Sequence, residues 1–306
     1  MMLGFVRAAA QGDVLAEMAE TNPDIVVVSQ DMGPFGSFSD RFPDRFFDLG
    51  ISEANLIGVA AGLAHAGKLP FVVAMAPFVS MRSFEQIRTD CGYNRNSVKI
   101  IAPCSGLEGG HWGATHHAVE DLGLLRMIPG MTVLCPADPA EATRAVRAAA
   151  EVDGPVYIRF GYIRSIEGHT AEFEVGRAVT MREGSDVAII ATGASVAQAL
   201  AAHDLLKAEG VSARVLNMHT IKPIDREAIG TAAKEIGRIM TVEEHFVNGG
   251  LGGAVAEVLA ELGTGRLVRL GLEDEFVMEV AGYPDILKLV GLDAGSIAAR
   301  AKALLD

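Results

Sequence analysis

The residues best able to do chemistry lie in three stretches of the first half of the chain. Residues 106–121 read GLEGGHWGATHHAVED, with four glycines and three histidines inside twelve positions. A glycine-rich loop after a strand sits at the carboxyl edge of an open sheet, where ligands bind. His111 and His116 with a nearby acid could ligate zinc, but their spacing fits no standard zinc pattern. The plainer role is structural, with Thr115 as a helix N-cap and the helix starting at His116. Residues 48–55, DLGISEAN, put Glu53 in the first turn of an Ala/Gly-rich helix. The helix dipole favours a carboxylate there. It is either a solvated helix start or a carboxyl held in an apolar pocket to share a proton with a heterocycle. In residues 77–88, PFVSMRSFEQIR, Phe78, Met81 and Phe84 recur at three-residue spacing. Such a face is core or a platform for a flat ring, where stacking contributes about 0.5–1.5 kcal/mol beyond area.

A scaffold must bring these stretches to one edge. Apolar, β-branched runs at 24–29, 71–76, 98–103, 132–135 and 156–159 alternate with helical patterns at 6–20, 53–66, 80–93, 118–127 and 139–151. That alternation predicts a mostly parallel sheet covered on both faces. Residues 166–184 are polar and without sustained period, and read as a linker. Strands at 187–192, 213–217, 239–243 and 267–272 then alternate with helices at 195–209, 225–236, 251–261 and 294–305. The expected fold class is α/β, with two open twisted sheets in domains 1–165 and 185–306.

Bulk properties narrow the function. The 306 residues carry a net charge of −13, which disfavours nucleic acid and anionic membrane surfaces as partners. No apolar run approaches the roughly 18 residues of a membrane span. The opening residues lack the pattern of a secretory signal. Cys91, Cys104 and Cys135 are scattered, odd in number and form no CxxC pair. That usage points to neither a disulfide framework nor a zinc ribbon, and fits a reducing cytoplasm.

Taken together, the order of the acidic motif, the aromatic helix and the histidine loop resembles the pyrimidine-binding domain of transketolases and of deoxyxylulose-phosphate synthase. Residues 218–225, MHTIKPID, and 242–252, VEEHFVNGGLG, are similar to the C-terminal domain of the same enzymes. The chain from Arg7 to its end thus resembles the second subunit of a split transketolase. The resemblance implies thiamine diphosphate as cofactor, with Glu53 hydrogen-bonded to N1′ of its aminopyrimidine. It implies Phe78 stacked on that ring, with Met81, Phe84, Met32 and Ile51 around it, and His116 against the donor's hydroxyls. The family's Gly-Asp-Gly motif, which binds the diphosphate through Mg²⁺, is absent from this sequence. The resemblance therefore implies that a partner, the N-terminal transketolase subunit, supplies the metal ligands, in an α2β2 heterotetramer; this chain is expected to hold no metal itself.

The acceptor pocket departs from the family pattern. Arg7 matches one phosphate-binding arginine. The family's histidine, second arginine and acidic residue read Cys104, Tyr162 and Trp112, with Arg159 and Arg164 close by in sequence. These changes imply an acceptor that is not a standard aldose phosphate. The expected reaction moves a two-carbon ketol unit from a ketose or 2-oxo donor to an aldehyde or keto acceptor. Two rival readings share the fold: the β subunit of a 2-oxoacid dehydrogenase and a non-catalytic scaffolding subunit.

Overall fold

The structure is a computed structural model that describes residues 3–305, and the side chains of residues 10–305. The first sheet contains β1 (Ile25–Ser29), β2 (Phe46–Asp48), β3 (Leu69–Val73), β4 (Lys99–Ala102), β5 (Thr132–Leu134) and β6 (Val156–Arg159), all parallel. The second contains β7 (Val179–Arg182), β8 (Val187–Ala191), β9 (Ala213–Asn217), β11 (Arg238–Phe246) and β12 (Arg266–Leu272). Between β9 and β11 in sequence, β10 (Thr220–Lys222) leaves its own half and pairs antiparallel with β5. The spatial orders are β10-β5-β6-β4-β3-β1-β2 and β12-β11-β8-β9-β7.

Alternation of side chains across the pleat sends each strand's apolar residues to two separate cores. Ile25, Val27, Phe71 and Val73 meet Leu15, Ala142 and Val146 on one face. Val28 and Val72 meet Leu56, Ile57 and Ala60 of the helix Glu53–His65 on the other. Every residue of β1, β4 and β6 is buried, as a parallel sheet covered on both faces requires.

Several elements differ from the sequence reading for identifiable reasons. The stretch expected as linker contains β7, an edge strand antiparallel to β9, whose residues alternate between half-buried and exposed. Half of its positions face water, so no apolar run marks it. β10 is three residues long and gains its place through a neighbour, with the Cys135 N–H donating to the His219 carbonyl at 2.8 Å. The helix expected over 80–93 is broken into Ala76–Arg82, Phe84–Gln86 and a wide π-helical turn at Ile87–Tyr93. The Ser80 and Ser83 hydroxyls donate back to the Ala76 and Val79 carbonyls, both at 2.6 Å, and such bonds bend helices. The helix expected from 118 starts at Asp121, because Ala118 is held in a bridge to Gly106.

One buried ion pair joins the halves. Arg159, at the end of β6, donates through Nε to Asp121 at 2.8 Å and through a terminal nitrogen to the carbonyls of Ala118 and Glu244, each at 2.8 Å. Tyr157 donates its hydroxyl to the same aspartate at 2.7 Å. The Glu244 carboxyl accepts from the Leu107 N–H at 3.1 Å and from the Tyr283 hydroxyl. Removing one member of such a pair leaves a buried charge uncompensated, at a cost of about 3–5 kcal/mol. Asp121→Ala is expected to lower the urea midpoint by that equivalent, measured by far-UV circular dichroism; a change worth under about 1 kcal/mol would show that Arg159 is not the clamp.

Candidate active site

The site begins where β1 and β2 end. The Asp48 carboxyl accepts from the N–H groups of Asp31 and Gly50, both at 2.9 Å, and so ties the two strand ends together. The Ser52 hydroxyl donates to the Leu49 carbonyl at 3.1 Å and closes the turn into the helix. This turn delivers Glu53, with only 6% of its side chain exposed, to the first helical position. From the end of β3, the helix Ala76–Arg82 brings Phe78 and Arg82 to the same place. Arg82 donates to the Glu53 carboxyl at 3.1 Å while its guanidinium lies 4.2 Å over the Phe78 ring. Glu53 and Phe78 therefore jointly hold a flat, hydrogen-bonding, stacked group.

The histidine loop forms the adjoining wall. It is pinched at its base by two hydrogen bonds between Gly106 and Ala118, at 3.0 and 3.1 Å. His116 meets the Phe78 ring edge-on at 5.3 Å, Trp112 lies 5.0 Å from His116, and His111 lies 4.7 Å from Trp112. The Thr115 hydroxyl lies 3.0 Å from His116 Nδ1, and the helix that follows begins only at Asp121, so Thr115 is not the N-cap that the sequence suggests. His116 titrates below the ordinary histidine range, first because burial penalises its charged form, then because the Arg82 and His111 charges oppose it. The loop's glycines answer to packing as well as to ligand access. A Cβ on Gly106, whose φ is +63°, would lie 2.4 Å from a Glu244 carboxyl oxygen, and one on Gly110 would lie 2.4 Å from Ile286.

The other residues singled out in the sequence distribute unevenly. Met32 is half-buried after β1, while Ile51 is 73% exposed beside Glu53 and Met81 is exposed beside Arg82. Phe84 is half-buried and packs on the second core, beyond the helix break. Cys104, expected at the acceptor, has its side chain fully buried in a left-handed backbone turn with φ +63°, and burial pushes its thiol well above the ordinary range. It does not line an opening. Tyr162 stacks on Tyr283 at 4.1 Å, and Arg164 folds over Tyr162, donating to its hydroxyl at 2.6 Å. Arg159 is sealed in its ion pair, so it is not a free phosphate ligand. The side chain of Arg7 lies outside the described residues. Arg82, which the sequence offered only as part of a motif, is the residue that links Glu53 to Phe78. Among the described residues no cluster of three or more His, Cys, Asp or Glu is placed to hold a metal, and no helix is long and apolar enough to cross a membrane.

A mostly parallel α/β sheet thus carries a buried glutamate, a phenylalanine and a histidine wall at its carboxyl edge, and is joined to a second α/β domain. Residues 6–162 match the pyrimidine-binding domain of transketolase and residues 176–297 match the transketolase C-terminal domain, so the chain belongs to the transketolase family. It is 40% identical to one of the subunits of apulose-4-phosphate transketolase from Phocaeicola vulgatus, over 93% of each chain. It is 41% identical to a 6-deoxy-6-sulfo-D-fructose transketolase subunit of Clostridium sp. (strain MSTE9), over 96% of this chain and 92% of that one. A solved structure described as a split gene transketolase, inactive beta4 tetramer, superposes with a TM-score of 0.89 at 42% identity, covering 98% of both chains. The chain is thus a C-terminal-type subunit of a split transketolase, and the scaffolding and dehydrogenase readings are not favoured.

Trp112 is the only tryptophan, so the wall carries its own reporter. Protonated imidazole quenches indole emission. In a His111→Gln background the emission is expected to titrate with a midpoint below the ordinary histidine value of about 6.5. Arg82→Ala is expected to move that midpoint up, because a nearby positive charge no longer opposes the imidazolium. An unchanged midpoint would remove Arg82 from the electrostatics of the wall.

Proposed function

We propose that this chain supplies the pyrimidine half of a thiamine-diphosphate site for two-carbon ketol transfer, and that Glu53, Phe78 and His116 act at it. The observation that carries the reading is the joint hold of Glu53 and Phe78 on a flat hydrogen-bonding group, here the Arg82 guanidinium. An aminopyrimidine needs the same two contacts, one in its plane and one on its face. The cofactor supplies the carbanion chemistry when bound. Glu53 would exchange a proton at N1′, and Phe78 would fix the ring's orientation. Met32, Ile51 and Met81 would flank the ring, with Phe84 supporting the helix from behind. His116, held in its neutral form at pH 7, would accept or donate a hydrogen bond at the donor's hydroxyls.

Mg²⁺ and its ligands would come from a partner chain carrying the diphosphate-binding domain, in an α2β2 assembly in the cytoplasm. Two relatives are named as subunits, and that is the support for a partner here. The exposure of Ile51, Met81 and Trp112 beside Glu53 and His116 adds to it, because apolar surface grouped at a site marks a face that another chain covers. We further infer that the acceptor is not a standard aldose phosphate. Trp112 and Tyr162 stand where the family uses an acid and an arginine, Cys104 is sealed inside, and Arg164 is engaged with Tyr162. A flat, deoxy or ketonic acceptor suits that wall. Two relatives are named for apulose 4-phosphate and for 6-deoxy-6-sulfo-D-fructose, neither of them a standard aldose phosphate.

Glu53→Ala and Glu53→Gln are each expected to lower kcat of the assembled complex by about 10²–10⁴-fold, the usual range for a general acid–base group. Circular dichroism should show the fold unchanged. Residual activity above a tenth of wild type would contradict the assignment. For the acceptor, kcat/KM with ribose 5-phosphate and erythrose 4-phosphate is expected not to exceed that with uncharged aldehydes or 2-oxoacids by more than about a hundredfold, or roughly 2.7 kcal/mol. A larger preference for the sugar phosphates would return their phosphate contacts to Arg7, to another arginine of this chain or to the partner chain.

A further inference from the structure

Three arginines stand near the wall, and their contacts assign them different work. Arg159 is buried and engaged with Asp121, Ala118 and Glu244. Arg164 is folded onto Tyr162. Arg82 is 56% exposed, yet its guanidinium is placed face-on to Phe78 and in hydrogen-bond contact with Glu53. A guanidinium is planar, delocalised and a fork of N–H donors. An aminopyrimidine is planar and hydrogen-bonding in the same way. The two cannot hold the same carboxyl and the same ring face together.

We propose that Arg82 is the specificity arginine of this site: its guanidinium stands in for the aminopyrimidine before the cofactor binds, and passes to an anionic group of the substrate when the ring takes its place. The inference rests on the reading of Glu53 and Phe78 as cofactor ligands. Arg82 closes a short helix and its side chain is more than half exposed, so displacement moves the guanidinium into open space beside the ring. His116 meets the Phe78 ring edge-on, so the freed charge and the histidine both stand beside Phe78. A new partner is favoured there, because the cation loses its carboxylate as the ring gains it. The partner's chemistry is an oxyanion, and a 2-oxoacid carboxylate and a sugar phosphate both present one. Arg82 thereby offers an anion contact that the sealed Cys104 and the paired Arg164 do not.

The test uses the complex isolated through a tag on this chain, as wild type, Arg82→Ala and Arg82→Lys. Thiamine diphosphate affinity is measured by calorimetry with Mg²⁺ present, and kcat/KM is measured for hydroxypyruvate, a ketose phosphate and an uncharged hydroxyketone. Arg82→Ala is expected to bind the cofactor about tenfold tighter, since a competitor worth about 1.4 kcal/mol is gone. It is also expected to lose at least about tenfold of the preference for the anionic donor over the uncharged one. Whether the loss falls on hydroxypyruvate or on the ketose phosphate tells which oxyanion Arg82 meets. Arg82→Lys is expected to keep the anion preference but bind cofactor like the alanine variant, because an ammonium cannot stack as a plane. Cofactor affinity that is unchanged or weaker in Arg82→Ala overturns the proposal, as does an intact anion preference. A wild-type complex that binds no thiamine diphosphate removes the reading of Glu53 and Phe78 as well, whereas wild-type binding with an unaltered Arg82→Ala removes only the role of Arg82.

Discussion

The position of the histidine wall depends on one buried cation. Arg159 reaches across the end of the first sheet and neutralises Asp121, the first residue of the helix that follows the loop. The same guanidinium fixes the Ala118 carbonyl, and Ala118 in turn is paired to Gly106 at the other end of the loop. It also holds the Glu244 carbonyl in the second domain, whose carboxyl reaches back to the Leu107 N–H. Both ends of the loop and both domains are therefore held by one side chain and its partners. Desolvating such a pair is costly, and a well-packed apolar substitute is often as stable. What the ionic version adds is direction, because a guanidinium fork accepts only a few arrangements of acceptors. That restricts the loop to one register, and with it the placement of His116 and Trp112 against Phe78.

The same constraint explains how the arginines divide. The chain carries a net charge of −13, and Arg82, Arg159 and Arg164 each have a definite contact. Arg159 is structural because it is sealed. Arg164 is tied to a tyrosine that itself stacks on Tyr283, whose hydroxyl continues to Glu244. Of these three, Arg82 alone is both exposed and engaged with a carboxyl, that of Glu53. Sequence distance from a motif says nothing of this division; the hydrogen-bond partners do.

What could be read in the sequence was what depends on local pattern. The β-branched runs at 25–29, 99–102, 156–159 and 187–191 are strands because burial on both faces demands continuous apolar stretches. Glu53 at the start of an Ala/Gly-rich helix and Phe78 after β3 were legible as a pair only through their order along the chain. What escaped depends on distant partners. β10 is a strand because β5 is beside it, and β7 because β9 is. Gly106 and Gly110 read as ligand-loop glycines, yet each is also forced by close approach from the second domain, through Glu244 and Ile286. Cys104 stands in the right place in the sequence for a pocket residue, but the left-handed turn it occupies points it into the interior. The break after Arg82 comes from two serines whose hydroxyls could as well have faced solvent.

That break shapes the site. An unbroken helix from 76 to 93 would carry Phe78, Met81 and Phe84 on one continuous face, all committed to the same neighbour. Ending the first segment at Arg82 separates Phe84, which packs on the core, from Phe78, which faces His116 and Arg82. The core residue anchors the chain beyond the break while the aromatic before it stays available for stacking. Glu53 is held independently, through Asp48 and the ends of β1 and β2. The two contacts on the flat group thus come from separate strand ends of one rigid sheet. Sites built on such elements hold their geometry better than sites on loops. The part free to move is reduced to the Arg82 side chain, which can leave without disturbing either Glu53 or Phe78, because neither depends on it for its backbone position.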